Sequence, residues 1–433
     1  MAPAPRNGAL ATPPPPRRLA AYIRRTWRAL AADGAVYARE MRRFSRNARL
    51  LLLSTLLGAF SAGVFRVAYN LYVLELGFTA ADAGRLVTSA SLAAGLAAIP
   101  AGLLALRVGA KPVILGGAVL LGVGTALQVT PFGYGYLVAG AALGGLGGAL
   151  WNVVIAPLYA GSADDEGRSY LFTVAAIVFL GMSFAGNAVG GWAPRALADA
   201  TGWPVWLGFF AVLSAAALYG GLGFFPLLAL RAPSARIDRS AFGALRGQVN
   251  AIARLLIVHV VIAVGAGLTI PFLNVYFTRQ LGLTEAQFGL LAGAGLMTRL
   301  GASVFGPIAA RRLGKVTAIV VAQSASIPLL LAMGLLPWPL GSSLAFLARG
   351  ALMNMTAPVR GALYMERVTE AARPATNACL LLAWNLAWAG AAAIGGVLAE
   401  QRALAVAVTV TAACYALANG LMWLLWRRRA GAE

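Results

Sequence analysis

Residues 70–84 read NLYVLELGFTAADAG, and residues 274–289 read NVYFTRQLGLTEAQFG. The Asn-x-Tyr start, the Leu-Gly pair and the closing Gly recur at a spacing of 204 to 205 residues. Three further motifs recur in the same order: Arg-x-Gly at 107–109 and 312–314, Ala-Pro at 156–157 and 357–358, and Gly-Gly at 190–191 and 395–396. Ordered matches of this kind predict that the chain consists of two homologous halves.

The composition is that of a membrane protein. Hydrophobic residues make up 60% of the chain and charged residues 11%, whereas a soluble domain is about half apolar and about a quarter charged. Long apolar stretches alternate with short loops that hold nearly all of the charge. We therefore predict an all-α membrane protein with twelve transmembrane helices, arranged as two pseudo-symmetric six-helix bundles. The first apolar run begins near Leu50, too late for a cleavable signal peptide.

The chain is predicted to divide into six segments. The two bundles occupy residues 49–230 and 251–426, and a cytoplasmic linker, 231–250, joins them. Residues 1–17 form a disordered Pro-rich tail, and 427–433 form a basic tail. In residues 18–48, aromatic and aliphatic residues alternate with arginines at helical spacing. That pattern predicts a basic amphipathic helical segment on the cytoplasmic side, which either lies on anionic lipid or packs on the protein's own loops.

The net charge of +21 is attributed to membrane topology. The basic residues lie beside apolar spans, and the loops on one side of the predicted membrane hold most of them. By the positive-inside rule, both termini are cytoplasmic, which requires an even number of spans. The expected partners are anionic lipid headgroups and a small-molecule solute, and no nucleic acid is expected. Two lone cysteines and one histidine predict neither a metal site nor a disulfide framework.

The loop after the second span carries a recognisable motif. It contains Gly102, Arg107, Gly109 and Lys111, and the second-half copy contains Arg312, Gly314 and Lys315. This pattern resembles the signature loop of the major facilitator superfamily, in which these residues form a gating loop. Leu106 and Arg311 stand where the family has Asp, so the charge latch of which that Asp is part is not carried over. The resemblance implies the fold of that family and alternating access. We expect a monomer in the cytoplasmic membrane of a prokaryote, without a cofactor.

Three arginines fall within predicted spans, namely Arg66, Arg299 and Arg349. A charged side chain at that depth costs at least roughly 2.5–3.5 kcal/mol, so it should face a cavity or a partner. All 14 carboxylates lie in loops or at span ends. We therefore interpret the arginines as ligands for an anionic or zwitterionic solute, which a guanidinium can grip bidentately. The alternative is an arginine bonded to helix carbonyls or extending to the membrane surface.

Several uncharged side chains are further candidates for solute binding. Asn70 and Asn274 occupy equivalent positions in the two halves, and Asn152 and Asn354 lie in spans 4 and 10. Amides there can bind a solute or bond one helix to another. Trp384 and Trp388, one turn apart, can stack on an organic solute or face lipid.

Coupling to protons requires a titratable group. His259, the only histidine, has the appropriate pKa range, although a lone His is more often a packed, hydrogen-bonded residue. Glu75 and Glu366 are the two candidates at span ends, where a solvated carboxylate is the alternative.

These observations predict a secondary active or facilitative transporter of a small organic, anionic or zwitterionic solute. A multidrug or amphiphile (lysolipid) efflux carrier is the alternative within transport. Outside transport, the alternatives are a membrane sensor that does not transport and a membrane-embedded transferase. The transferase is disfavoured because the chain has one His, no mid-span carboxylate and no long loop outside the membrane, whereas such chemistry needs placed acids, bases or metal ligands. We therefore expect no enzymatic activity.

Overall fold

The computed structural model describes residues 41–231, 247–336, 338–401 and 403–426. Within these ranges all regular secondary structure is helical. The expected tails, 1–17 and 427–433, lie outside the described residues, as do most of segment 18–48 and of the linker. In the described end of segment 18–48, the first long helix begins at Arg46. Ser45 caps that helix by accepting a hydrogen bond from the Ala48 N–H at 3.2 Å, which is the usual role of serine at this position.

The described part of the first half includes six long helices and a short one. They are α1 (Arg46–Glu75), α2 (Ala80–Val108), α3 (Ala110–Val129), α4 (Tyr134–Ala160), α5 (Asp165–Thr201), α6 (Val205–Gly221) and the short helix Phe224–Leu228.

The second half contains six further long helices. They are α7 (Val249–Thr269), α8 (Glu285–Ser303), α9 (Lys315–Leu335), α10 (Pro339–Met355), α11 (Arg373–Glu400) and α12 (Leu404–Trp426). Three of these are followed by helical continuations: α7 by Ile270–Phe272, Leu273–Val275 and Tyr276–Gln280, α8 by Phe305–Leu313, and α10 by Ala357–Glu366.

Eleven helices in the described ranges are long and apolar enough to cross a membrane. The expected tenth span is not among them, because it is divided at Thr356 into helices of 17 and 10 residues. Pro358 follows the division by two positions. A proline ring removes one helical N–H and clashes with the carbonyl four residues earlier, which favours a break there. The equivalent Pro157 leaves α4 continuous.

The two halves repeat local contacts as well as sequence. Both α2 and α8 begin with a capping box, in which a threonine and the residue three positions on exchange hydrogen bonds. The Tyr72 hydroxyl donates to the Val129 carbonyl at 2.7 Å. The Tyr276 hydroxyl donates to the Met333 carbonyl at 2.8 Å. Both residues of the second pair lie 204 positions after their counterparts.

Two helix pairs join the halves most extensively, α2 with α11 and α5 with α8. Their contacts are so close that only glycine fits. A Cβ on Gly84 would lie 2.9 Å from the Gly396 Cα, and a Cβ on Gly191 would lie 2.9 Å from the Gly289 Cα. Gly84 and Gly289 are equivalent in the repeat, as are Gly191 and Gly396. The repeated glycines therefore lie at the contacts between halves, where small residues let helices approach.

The outer surface of the bundle is apolar. Leu96, Trp192 and Leu218 are 64%, 63% and 75% exposed. A surface of this kind suits contact with lipid chains, where no hydrophobic force drives such residues inward. The structure and the hydropathy of its helices thus agree on a multi-pass membrane protein.

Candidate functional site

The halves are held together at one end of the bundle. We call the end where α1 terminates the Glu75 end and the opposite end the Arg46 end. At the Glu75 end, Glu75 forms an ion pair with Arg279. Arg195 and Glu285 form a second pair, with Nε to Oε2 and Nη2 to Oε1 both at 3.0 Å. The second pair is bidentate, the arrangement in which a guanidinium binds a carboxylate most strongly.

Asn70 and Asn274 also lie where the halves meet. Asn70 Nδ2 donates to the Pro271 carbonyl at 2.7 Å, and Asn274 Nδ2 donates to the Val67 carbonyl at 3.2 Å. The Val275 N–H donates to Asn274 Oδ1 at 2.9 Å. In a regular α-helix this N–H would donate to the Pro271 carbonyl, four residues earlier. The irregular turn of α7 therefore presents a carbonyl that Asn70 of the first half takes up. Both amides serve as bonds between the halves.

A cavity of about 750 Å³ lies within the bundle. Its walls come from α1 to α6 and from α11, so that both halves contribute. Small and aromatic residues dominate the lining, and its polar members include Ser54, Thr55, Gln128, Asn152 and Asn385. The volume is in the range of sites for small organic ligands. Asn152, one of the predicted binding residues, is among the lining residues.

The cavity divides the core of the first half. One buried apolar cluster near the Arg46 end includes Leu51, Ile114 and Leu158. A separate cluster near the Glu75 end includes Leu71 and Phe209. In the second half, most of the buried apolar residues belong to a single cluster. The open space inside the bundle is therefore located mainly in the first half.

The three arginines that the sequence singled out come together. They lie on α1, α8 and α10, and the charges of Arg66 and Arg349 both act on Arg299. The Arg299 guanidinium carbon lies 6.0 Å from the centre of the Phe346 ring. Arg349 donates from Nη2 to the Tyr415 hydroxyl at 3.0 Å, and its guanidinium carbon lies 5.7 Å from that ring. The aromatic rings thus hold two of the three side chains in place.

No ion pair found among the described residues involves any of these three arginines. The Nε atoms of Arg299 and Arg349 are buried and have no hydrogen-bond partner in the described ranges. Arg349 is only 3% exposed. Arg66, in contrast, is exposed. It lies one turn after Ala62, which lines the cavity, and residues four apart share a helix face. Arg66 therefore lies next to the cavity, whereas Arg299 and Arg349 lie on α8 and α10, which contribute no residue to its described lining.

The predicted aromatic residues form a column with the histidine. The His259 ring lies 5.0 Å from Trp384, which lines the cavity. Trp384 stacks on Trp388 at 5.8 Å. On the other side, His259 lies 6.0 Å from the Tyr364 ring. His259 Nδ1 and the Tyr364 hydroxyl are buried and have no hydrogen-bond partner in the described ranges. Arg360 is the charge that acts on the imidazole.

The predicted gating-loop residues make contacts within each half. Lys111 Nζ donates to the Leu228 and Leu230 carbonyls at 2.9 and 2.6 Å, which ties the loop to the end of the short helix Phe224–Leu228. Lys315 forms an ion pair with Glu366, at the equivalent place in the second half. Gly109 and Gly314 have φ of +87° and +82°, a backbone conformation that favours glycine.

The remaining predicted residues lie within their own helices or at the surface. Asn354 Nδ2 donates to the Gly350 carbonyl at 2.8 Å, within its own helix. Arg107 and Arg312 are exposed, and Gly102 is partly buried. These positions lie apart from the contacts that join the halves.

Sequence reasoning missed Arg195, Arg279 and Glu285, which form the ion pairs between the halves. A signal for two of them was present. Arg195 follows the Gly190-Gly191 pair by one turn, and Glu285 precedes Gly289 by one turn. Two small-residue patches that face each other place charges one turn away opposite each other.

The helical bundle, its lipid-facing surface and its internal cavity define a multi-pass integral membrane protein with a transporter fold. The sequence profile of the Major Facilitator Superfamily matches residues 51–348. The chain belongs to this family.

Solved transporters have the same fold. A bacterial homologue of the human lysosomal transporter Spinster, inward-facing and unoccupied, is 14% identical with a TM-score of 0.72, covering 88% of this chain and 96% of its own. A D-xylose–proton symporter is 16% identical with a TM-score of 0.69, and the match covers 87% of this chain and 98% of the symporter. A nucleoside transporter is 14% identical with a TM-score of 0.67, and the match covers 88% of this chain and 100% of that transporter. No curated protein sequence matches significantly.

Proposed function

We propose that the protein carries a small organic anion or zwitterion across the membrane by alternating access, as a secondary active or facilitative transporter. The observation that carries this proposal is the group formed by Arg66, Arg299 and Arg349, of which Arg66 lies next to the cavity. Three positive charges inside the membrane, each costing at least roughly 2.5–3.5 kcal/mol, require compensation. An anionic solute supplies it whenever the site is occupied.

We further propose the complete architecture of twelve spanning helices in two pseudo-symmetric six-helix bundles. The repeated capping boxes, tyrosine bonds and glycine contacts support it. In this arrangement α10 and its continuation, Ala357–Glu366, cross the membrane together as the tenth span, which brings the number of spans to twelve.

The Arg46 end is proposed to face the cytoplasm, with both termini on that side. Exposed basic residues cluster there, including Arg107, Arg312 and Lys315. The carboxylates Glu75 and Glu285 lie at the opposite end. This distribution follows the positive-inside rule. The ion pairs and the asparagine bonds then close the external side, so the structure represents an inward-facing state. The setting remains the inner membrane of a prokaryote, with the protein acting as a monomer.

His259 is proposed as the coupling group if transport is linked to protons. Its unpartnered Nδ1 lies beside Trp384 at the cavity wall, so that a proton taken up there would be near the solute. The candidates Glu75 and Glu366 instead hold ion pairs at opposite ends. A role in closing the halves suits Glu75 better than proton transfer.

The test is uptake of radiolabelled organic anions by liposomes that contain the purified protein. Saturable uptake should be present in the parent protein and lost in Arg66→Gln and Arg299→Gln. Arg85→Gln is the matched control, because Arg85 is exposed and its ion pair with Asp82 lies within its own helix. Normal uptake in both site variants would refute the proposal.

The cavity also favours a second candidate within transport, an amphiphile carrier. Its lining is mostly Gly, Ala and aromatic residues, which would accept an apolar body such as a lysolipid chain or a drug. Saturable flux of uncharged amphiphiles that does not depend on Arg66 and Arg299 would favour this candidate.

A further inference from the structure

The arginine group holds more charge than a singly charged solute can compensate. Arg66 and Arg349 both repel Arg299, and no ion pair found in the described ranges involves any of the three. A monoanion would leave two positive charges without a counterion. At the low dielectric of a membrane interior, like charges at close range are costly. Solutes with two negative charges are therefore favoured over equally shaped solutes with one.

The donors in this group suit a compact oxyanion. Arg299 and Arg349 each have a buried Nε without a hydrogen-bond partner in the described ranges. Arg349 as a whole is only 3% exposed. Tyr415 occupies one Nη of Arg349 at 3.0 Å and fixes its plane. A guanidinium presents its donors in a planar fork that matches the spacing of oxygens on a phosphate. Three such forks on three helices can surround the oxygens of one tetrahedral group.

The cavity next to Arg66 accepts the rest of the molecule. Ala62 and Phe65 line it next to Arg66, and Trp384 lines it from the second half. Apolar and aromatic walls favour an organic body, and an aromatic ring can stack on Trp384. The cavity of about 750 Å³ is larger than an inorganic ion needs.

We propose that the solute is an organic phosphate monoester, bound in its doubly charged form by Arg66, Arg299 and Arg349 with its organic body in the cavity. The proposal rests on the proposed anion transport and narrows its substrate class. It predicts that two esters of equal shape and unequal charge bind with different affinities, which the proposal of anion transport alone does not predict.

Phenyl phosphate and phenyl sulfate provide that comparison, because they have nearly the same shape and differ by one charge. Calorimetric titration of the purified full-length protein at pH 7.5 should show phenyl phosphate binding at least about tenfold more tightly. The second ionisation of a phosphate monoester has a pKa of about 6. About one tenth is doubly charged at pH 5, so its affinity should fall about tenfold there. The affinity for phenyl sulfate should not change.

The groups that act on Arg299 are Arg66, Arg349 and Tyr415, and neither a carboxylate nor an imidazole is among them. His259 belongs to the separate aromatic column, and repeating the pH series with His259→Gln removes its contribution. Arg299→Gln should abolish the preference for phosphate over sulfate. Arg349→Lys, which keeps the charge but loses the planar fork, should reduce it, and Arg85→Gln should preserve it.

Equal affinities of the two esters at pH 7.5, or an unchanged phosphate affinity at pH 5, would overturn the inference. These results are distinct from a failure of transport. Selective phosphate binding without flux in liposomes would refute the transport proposal and support this inference. Flux of anions in liposomes together with equal binding of both esters would support the transport proposal and refute this inference.

Discussion

Removing one ion pair at the Glu75 end should open that end measurably. The change is Arg195→Gln, which removes both hydrogen bonds of 3.0 Å to Glu285. The Glu285 side chain is 10% exposed and the Arg195 side chain is 46% exposed. An exposed pair contributes about 0.2–1 kcal/mol, and breaking a fully buried pair costs about 3–5 kcal/mol. A half-exposed bidentate pair lies between these limits, at about 1–2 kcal/mol.

That energy acts on the equilibrium between a closed and an open Glu75 end, because the pair joins α5 of one half to α8 of the other. A shift of 1–2 kcal/mol changes the ratio of the two states by about 5- to 30-fold. The Glu75–Arg279 pair and the glycine contacts remain. The closed state therefore loses population without being abolished.

The assay is a distance measurement between spin labels on Thr201→Cys and Gln401→Cys. These exposed positions end α5 and α11 at the Glu75 end, in different halves. The native Cys379 and Cys414 are replaced by Ser beforehand. Arg195→Gln should increase the population at longer distance, whereas Arg85→Gln should not. Identical distance distributions in the two variants would refute the role of the ion pair in closing this end.

Three further substitutions test separate parts of the structure. Gly84→Ala places a Cβ 2.8 Å from a backbone oxygen of α11; exchange flux should fall while solute affinity measured by calorimetry is retained. Tyr415→Phe removes a hydrogen bond to a charged group, worth about 1.5–3 kcal/mol; freed Arg349 should lose its fixed orientation and anion affinity should fall about tenfold or more in titrations. Lys315→Gln breaks an exposed ion pair with Glu366. The free energy of unfolding, followed by thermal denaturation, should therefore change by less than about 1 kcal/mol.

Much of the fold could be predicted because the determining features repeat in the sequence. The glycines at 84, 191, 289 and 396 matched one another in the repeat and became the contacts between halves. A close approach of helices requires a small residue, so the requirement is visible in the sequence. The division of α10 at Thr356 was not predicted. Pro157 and Pro358 occupy equivalent positions, yet only the second interrupts its helix, because tertiary surroundings decide whether a proline is accommodated.

The site was predictable in its charges and not in its partners. Hydropathy alone marks Arg66, Arg299 and Arg349 as misplaced in apolar spans. Their convergence depends on the rotation and tilt of α1, α8 and α10, which the sequence does not contain. For the same reason Tyr415 was not foreseen as the partner of Arg349. Asn70 and Asn274 were recognised as equivalent, and the structure shows that they bond the halves together.

The most direct test of the account is counterflow of phenyl phosphate in liposomes that contain the purified protein. A carrier whose site faces one side at a time exchanges solute faster than it moves solute one way. Unlabelled phenyl phosphate inside should therefore accelerate uptake of labelled phenyl phosphate, and Arg299→Gln should remove the acceleration. Uptake that rises linearly with concentration and does not respond to internal solute would contradict alternating access.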